Sequence, residues 1–429
     1  MDAIRAAAEK AKEASYRLQD LALELRNDAL RSVIEQVQER KQEIVSANQL
    51  DLREAQSAGL QSSLLKRLNY DDSKIQESVR QLESLIDQED PIGRVISRIE
   101  LDHGLILTRT SCPIGVIGVV FESRPDALIQ ISSLCIKSGN AVLLKGGSEA
   151  KNTNEALAKL IDQAIVGTDN RFKDAVQLLS TREEFRGLLA LNDLVDLIIP
   201  RGSNELVRSI QASTKIPVLG HAAGVCHTYV HEDADLEMAA KVCFDAKCQY
   251  PAVCNAMETL LVHRGIAEAL LPRLANDYEK AGVELRGDDP SSKIIKVHPA
   301  EEKDWWTEYN DLVLAIKIVG SLDEAIDHIN KFGSHHTDAI ITKDQTSANK
   351  FMDLVDSSSV MWNCSTRFAD GYRYGLGAEV GISTSKTHAR GPVGLEGLTI
   401  YKYRLSGSGQ IVADYVGENA KEFTHRKLS

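Results

Sequence analysis

One cysteine stands in a setting suited to nucleophilic chemistry. The run Gln249-Tyr250-Pro251-Ala252-Val253-Cys254-Asn255-Ala256 puts a thiol just after a proline and just before the apolar stretch Thr259-Leu260-Leu261-Val262. Proline fixes φ and has no N–H to donate, so the chain entering Cys254 is stiff and held off any ladder. The apolar stretch reads as a buried strand. Most cysteines in soluble proteins are small buried hydrophobes; a sulfur on such a turn is instead placed to face a cleft. Cys243 and Cys248 lack the Pro-then-Asn setting and read as bystanders.

Polar clusters close three other apolar runs. Phe121-Glu122-Ser123-Arg124-Pro125-Asp126, Lys145-Gly146-Gly147-Ser148-Glu149 and Arg201-Gly202-Ser203-Asn204 each follow a stretch that reads as a buried strand. Ligands of open α/β sheets bind beyond the carboxyl ends of strands, which places Lys145 against a nucleotide ribose or phosphate. The glycine, hydroxyl and helix start at Gly202 and Ser203 suit a pyrophosphate. Arg124 has the planar fork that binds a carboxylate or phosphate. The glycine patterns at 375–381 and 407–409 lack the strand-to-helix setting of a nucleotide fingerprint. His221, His227, His231, His335 and His336 lack zinc-ligand spacing and are expected in hydrogen-bonded structural roles, with no metal site.

The elements that must position these groups are legible in outline. Residues 1 to about 90 are rich in helix formers, with Ile34, Val37, Ile44 and Val45 on one helical stripe. Residues 104–110 alternate like an exposed or edge strand. Nearly continuous apolar runs then recur at 114–121, 141–145, 175–179 and 194–199, and a second series at 259–263, 312–319, 338–342 and 359–363. Such runs separated by helical segments indicate parallel sheets covered on both faces, hence two α/β domains with a cleft between them. The alternating segment 397–405 is a candidate to pair with the strand near 105–110, and such a flap leaves edges that are usually covered by association.

Bulk properties agree with a soluble enzyme of two or more domains. The chain has 429 residues, beyond the size at which single cores stop growing. A net charge of −12 argues against nucleic acid and against an anionic membrane surface. Seven cysteines without CxxC pairs fit a reducing cytosol. The charged start of the chain lacks the apolar core of a signal peptide, and no run reaches the roughly 20 apolar residues of a membrane span; a cytoplasmic location is expected.

Beyond these readings, Phe121-Glu122-Ser123-Arg124-Pro125, Lys145 through Ala150, Pro251 through Ala256 and the run STSKTHARGPVGLEGL at 383–398 resemble the γ-glutamyl phosphate reductase branch of the aldehyde dehydrogenase superfamily. The matches span about 100–400 in the family's order. The resemblance implies an α/β, aldehyde dehydrogenase-like fold: a Rossmann-like cofactor domain over 1–98 and 114–222, a catalytic domain over 223–395, an oligomerisation β-flap of 99–113 and 396–412, and a tail at 413–429. It implies NADPH-dependent reduction of L-glutamyl 5-phosphate to glutamate 5-semialdehyde, with Cys254 as nucleophile, Lys145 as a cofactor contact and Glu308 near the nicotinamide ribose. Ser203 and Cys364 depart from the expected Gly and Ala.

Several roles follow from that frame. The backbone N–H of Cys254 with Asn255 or Ser123 is expected to bind the oxyanion. Arg124, Arg367 and Arg390 are expected at the anionic ends of the substrate, and Glu122 or Asp126 at its ammonium. Ser148 stands where NAD-preferring relatives carry a glutamate, and a neutral side chain tolerates a 2′-phosphate, so NADP(H) is expected. Residues 219–224 correspond to the segment that carries the general base of hydrolytic relatives, yet hold no carboxylate. A hydrolytic aldehyde dehydrogenase using His221 as base is the alternative. A homo-oligomer, and hand-over from the kinase that makes the acyl phosphate (glutamate 5-kinase), are expected partners.

Overall fold

The computed structural model describes residues 2–221 and 223–428; Met1, Ala222 and Ser429, which the segment limits above include, lie outside the described residues. The chain opens with five helices, α1 (Asp2–Leu18), α2 (Leu23–Glu39), α3 (Lys41–Ser57), α4 (Ser62–Leu68) and α5 (Asp72–Ile86). The apolar stripe read across 34–45 is broken between α2 and α3, where Arg40 leaves helical geometry. Val37 and Ile44 are nonetheless both buried, on successive helices.

The helices cover a parallel four-stranded sheet of β3 (Val116–Phe121), β4 (Ala141–Lys145), β5 (Val176–Leu178) and β6 (Leu197–Arg201), in the order β5-β4-β3-β6, which follows a hairpin of β1 (Val95–Asp102) and β2 (Leu105–Pro113). All six residues of β3 and all five of β4 are buried, as strands covered on both faces must be. After β3 the chain turns at Ser123, and Pro125 opens the next helix, Pro125–Lys137, at the position where a missing N–H is harmless.

A second, seven-stranded sheet is built from β7 (Cys226–Val230), β8 (Met257–His263), β9 (Glu284–Gly287), β10 (His298–Pro299), β11 (Val313–Val319), β12 (Thr337–Ile341) and β13 (Ser359–Trp362), in the order β10-β9-β11-β8-β7-β12-β13. Its pairings are parallel, and β8 lies near its centre. The chain then makes a small hairpin, β14 (Ile382–Ser383) with β15 (Gly391–Pro392). Ala378, Val380, Ala389, Val393, Leu395 and Leu398 join the hydrophobic core of the first sheet, so this stretch returns to the first lobe although its sequence follows the second.

The remaining strands complete a separate antiparallel sheet in the order β16-β2-β1-β17, with β16 (Thr399–Ser406) and β17 (Arg426–Leu428). The pairing of 397–405 with 105–110 is present, in the register Tyr403 to Arg109. β2 is an inner strand, however, not an edge: β1, missed because only part of its length alternates, lies on its other side, and the tail supplies β17. Beyond Thr399, every residue of β16 is exposed, including Ile400, Tyr401, Tyr403 and Leu405.

Candidate active site

The turn carrying Cys254 joins the helix Leu236–Cys248 to β8 and is bound from several sides. Arg67 Nη2 donates to the Ala252 carbonyl at 2.5 Å, and the Cys226 thiol donates to the Cys254 carbonyl at 3.1 Å. Asn255 donates through Nδ2 to the Ala369 carbonyl at 2.8 Å, while its Oδ1 accepts from the Arg367 guanidinium. Arg367 Nε also reaches Gln249 Oε1 at 3.0 Å, so this buried arginine spans the turn from its first residue to its last. Gly224 lies so close that a Cβ there would stand 2.2 Å from the Cys254 carbonyl oxygen; no other residue fits.

Two histidines meet the sulfur. One donor atom each from His221, Cys254 and His336 lies within 4.8 Å of the others, and the imidazoles pack edge to face at 4.7 Å. His221 Nδ1 is bonded to the Ile382 carbonyl at 2.8 Å, and His336 Nδ1 to Thr337 Oγ1 at 2.9 Å. Burial pushes the Cys254 thiol up, yet His336 and His221 more than offset it and hold the thiol well below the ordinary cysteine value. Burial likewise pulls His221 down, but the facing sulfur raises it to about 9. The expectation of hydrogen-bonded structural histidines leaves out that two of the five, His221 and His336, though hydrogen-bonded, also stand beside the sulfur. His227 with Asp338 (3.1 Å), His231 with Asp233 (2.7 Å) and His335 with the Asp356 carbonyl (2.6 Å) fit it. A visible signal was the place of His221 and His336: His336 directly precedes β12, and His221 lies in the segment where relatives carry a base.

The cofactor-side residues gather at the carboxyl ends of the first sheet. Lys145 is buried at the end of β4; burial pulls its ammonium below the ordinary lysine value, and it donates to the Gly146 carbonyl. Ser148 is exposed on the following turn. Ser203 caps the helix Asn204–Ser213 through its hydroxyl, and its amide donates to Glu122 Oε2 at 2.9 Å. A Cβ at Gly202 would stand 2.5 Å from that same carboxylate oxygen, so any larger residue would displace the Glu122 side chain. From the second lobe, Glu308 Oε2 accepts from Asn204 Nδ2 at 2.9 Å, joining the two lobes beside the glycine turn.

The polar groups expected at substrate and oxyanion divide. Ser123 is engaged: its amide and hydroxyl both donate to Glu149 Oε1, at 2.6 and 2.7 Å. Both ends of the Asn255 amide are likewise used, and Arg367 is spent on the turn. Glu122 is taken by the helix start after β6. Arg390 is exposed and paired with Asp356 at 2.9 Å, a carboxylate it shares with Lys386. The half-buried Arg124 side chain makes no hydrogen bond among the described residues. Beside it stands Arg201, missed in the sequence because it fell within a glycine turn. Burial and Arg124 both pull Arg201 down from the arginine value, and Asp126, Glu379 and Cys254 act on it in the opposite sense. Two arginines thus share a neighbourhood with the reactive sulfur and the carboxylate of Asp126.

A thiol turn ahead of a central parallel strand, joined to a first lobe built on a parallel sheet of Rossmann type, defines the aldehyde dehydrogenase class, and the aldehyde dehydrogenase family model matches residues 1–311. γ-Glutamyl phosphate reductase of Methanosarcina acetivorans is 56% identical over 98% of this chain and 96% of its own, and that of Acetivibrio thermocellus 54% over 97% and 96%. The crystal structure of γ-glutamyl phosphate reductase from Thermotoga maritima superposes with a TM-score of 0.91 at 40% identity, over 95% of this chain and 99% of that one. Within the aldehyde dehydrogenase family the chain belongs to the γ-glutamyl phosphate reductases. An acetylating aldehyde dehydrogenase from Geobacillus thermoglucosidasius, at 16% identity and a TM-score of 0.67, shares the fold. Among the described residues no helix is long and apolar enough to cross a membrane.

Proposed function

We propose that the enzyme reduces L-glutamyl 5-phosphate to L-glutamate 5-semialdehyde with NADPH, releasing phosphate, through a thioester at Cys254. The observation that carries this reading is the Cys254 sulfur lying within 4.8 Å of a ring nitrogen of both His221 and His336, which hold its thiol below the ordinary cysteine value.

The thiolate attacks the acyl carbon; a C–S bond forms and the C–O bond to phosphate breaks. His221, protonated at neutral pH by its pairing with the sulfur, is the proton source for the leaving phosphate. The reduced nicotinamide, when bound, supplies the hydride that takes the acyl group to the aldehyde level. The C–S bond then breaks and Cys254 leaves as the thiolate it began as. The oxyanion falls to the Cys254 backbone N–H, because Ser123 and Asn255 are engaged elsewhere. No carboxylate stands among residues 219–224 to activate water against the thioester.

The cofactor fits the first lobe. Lys145, Ser148, Gly202 and Ser203 line the ends of β4 and β6, with Glu308 reaching across. A Cβ at Gly146 would stand 2.1 Å from the Asn154 side-chain amide, which packs against this turn. Ser148 tolerates a 2′-phosphate, which supports NADPH over NADH. Arg124, with Arg201, takes the anionic end of the substrate, and Asp126 its ammonium. The division into a cofactor domain (1–98 and 114–222), a catalytic domain (223–395, whose last part from Ala378 packs on the first lobe) and a flap belongs to the same reading. The exposed apolar face of β16 supports self-association, since unpaired edges and apolar strands are usually covered. Direct hand-over from the kinase and a cytoplasmic location complete the proposal.

Run in reverse, the enzyme should reduce NADP+ with glutamate 5-semialdehyde only when phosphate is present, and Cys254→Ser should abolish the signal. Phosphate-independent oxidation would instead indicate a hydrolytic dehydrogenase.

A further inference from the structure

We infer that Cys254, His221 and His336 form a site for a borderline-soft divalent cation of the zinc class, and that its occupation switches the thiol off. The binding rests on the geometry alone; the inhibition rests also on the role of Cys254 proposed above.

The donor set is the first support. One sulfur and two imidazole nitrogens lie within 4.8 Å of one another, brought together from the loop before β7, the turn before β8 and the residue just before β12. Zinc binds thiolate at about 2.3 Å and imidazole at about 2.0–2.1 Å, which in a tetrahedron puts donors roughly 3.3–3.6 Å apart. The trio therefore needs a contraction of at most about 1.2–1.5 Å, within the reach of side-chain rotation at the half-buried His221 and Cys254. Three protein ligands leave a fourth position for water.

The surroundings of the imidazoles are the second support. A metal-ligating histidine characteristically gives its other ring N–H to a carbonyl or comparable acceptor, which fixes the tautomer and aims the remaining nitrogen. His221 does so through Nδ1 to the Ile382 carbonyl at 2.8 Å. His336 Nδ1 contacts Thr337 Oγ1 at 2.9 Å, and its Nε2 is fully buried without a hydrogen-bond partner. An unsatisfied buried nitrogen beside a thiol is the feature a bound cation would resolve. The donors are N and S, which select zinc-like ions over magnesium or calcium.

Cobalt(II) titrated into the metal-free, full-length enzyme should bind at one equivalent. It should show the near-ultraviolet thiolate-to-cobalt band and the visible ligand-field bands of four-coordinate geometry, both displaced by zinc. Cys254→Ser should lose the charge-transfer band, and His221→Gln and His336→Gln should each weaken binding at least about tenfold with the far-ultraviolet circular dichroism unchanged. His221 is half-buried, so its variant serves if the His336 variant fails to fold. Zinc should protect Cys254 from iodoacetamide and stop turnover, with chelation restoring both. Unaltered cobalt binding in Cys254→Ser or His221→Gln, or no thiolate band in the wild type, overturns the site. A cobalt site with the full spectrum but turnover indifferent to zinc overturns instead the role given to Cys254.

Discussion

Ser123 gives both its backbone amide and its hydroxyl to one oxygen of Glu149, at 2.6 and 2.7 Å. Ser123 has φ of +46°, a conformation uncommon outside glycine, and the carboxylate holds it there. The hydroxyl is consequently a device for shaping the loop after β3 and not a donor to the reacting oxygen. Ser123→Ala should keep kcat within a few-fold of wild type and lower stability by about 1.5–3 kcal/mol, the range for a hydrogen bond to a charged group, measured by urea unfolding. Loss of an oxyanion donor would instead cost about 10²–10³ in kcat. A drop of that size would return Ser123 to the reaction.

The same pair bears on cofactor choice. Glu149 directly follows Ser148; its carboxylate lies over Gly147 and is engaged by the Ser123 hydroxyl and amide. Ser148→Glu would bring a new carboxylate to the position where a 2′-phosphate is expected. Like charges about 4 Å apart near a protein surface repel by about 4 kcal/mol before screening. The variant should lose at least about tenfold in kcat/KM for NADPH while NADH improves or holds. Equal losses with both cofactors would show that Ser148 does not stand at the ribose.

The thiol should declare itself by its pH profile. A lowered value means that the thiolate persists as pH falls below the ordinary cysteine value of about 8.5 and disappears only as pH drops through the lowered one. With a chelator present, alkylation of native Cys254 by iodoacetamide should stay nearly flat from pH 8.5 to neutrality and decline in acid. Burial raises Cys364, and raises Cys248 to about 11, so those thiols should react only under alkaline conditions. His221→Gln should move the Cys254 profile upward. Identical profiles for Cys254 and Cys364 would remove the imidazole pair from thiol activation.

Much of this site was legible in the chain because local chemistry announces it. The proline before Cys254, the buried strand after it and the polar closures of β3, β4 and β6 are each set by neighbours in sequence. What stayed hidden depends on distant segments. His336 comes 82 positions after Cys254, and nothing near it says that β12 lies beside β7 and delivers it to the sulfur. Arg390 looked accessible for a substrate until Asp356, 34 positions away, supplied its partner. Arg367 likewise looked like an anion ligand because its contacts with Gln249 and Asn255 exist only once the lobe closes on itself. Long-range pairing, not residue type, decided these cases.

Arg367 and Asn255 make a second testable unit. The guanidinium meets Asn255 Oδ1 with one arm and Gln249 Oε1 with another, so it fixes the turn at both ends. Lysine keeps the charge but not the fork. Arg367→Lys should lower kcat while leaving KM for the acyl phosphate within about threefold. Stability should fall by about 1.5–3 kcal/mol, the range for hydrogen bonds to a charged group. A rise in KM with kcat and Tm unchanged would mean that Arg367 binds substrate after all.

Arg124 and Arg201 present the opposite case, positive charge with little local compensation. Arg201 is pushed down by burial and by Arg124, and of the carboxylates acting on it, the Glu379 side chain is itself tied to the Gly371 amide at 2.8 Å. The two guanidiniums repel each other, the Cys254 sulfur and the carboxylates offset part of that, and a phosphoryl group offers the oxygens to bridge both. Arg201→Gln should therefore raise KM for the acyl phosphate at least about tenfold. It should also weaken inorganic phosphate as a product inhibitor by a similar factor, while the alkylation rate of Cys254 changes little. Inhibition by phosphate that survives in Arg201→Gln and in Arg124→Gln alike would show that the leaving group is held elsewhere in the cleft.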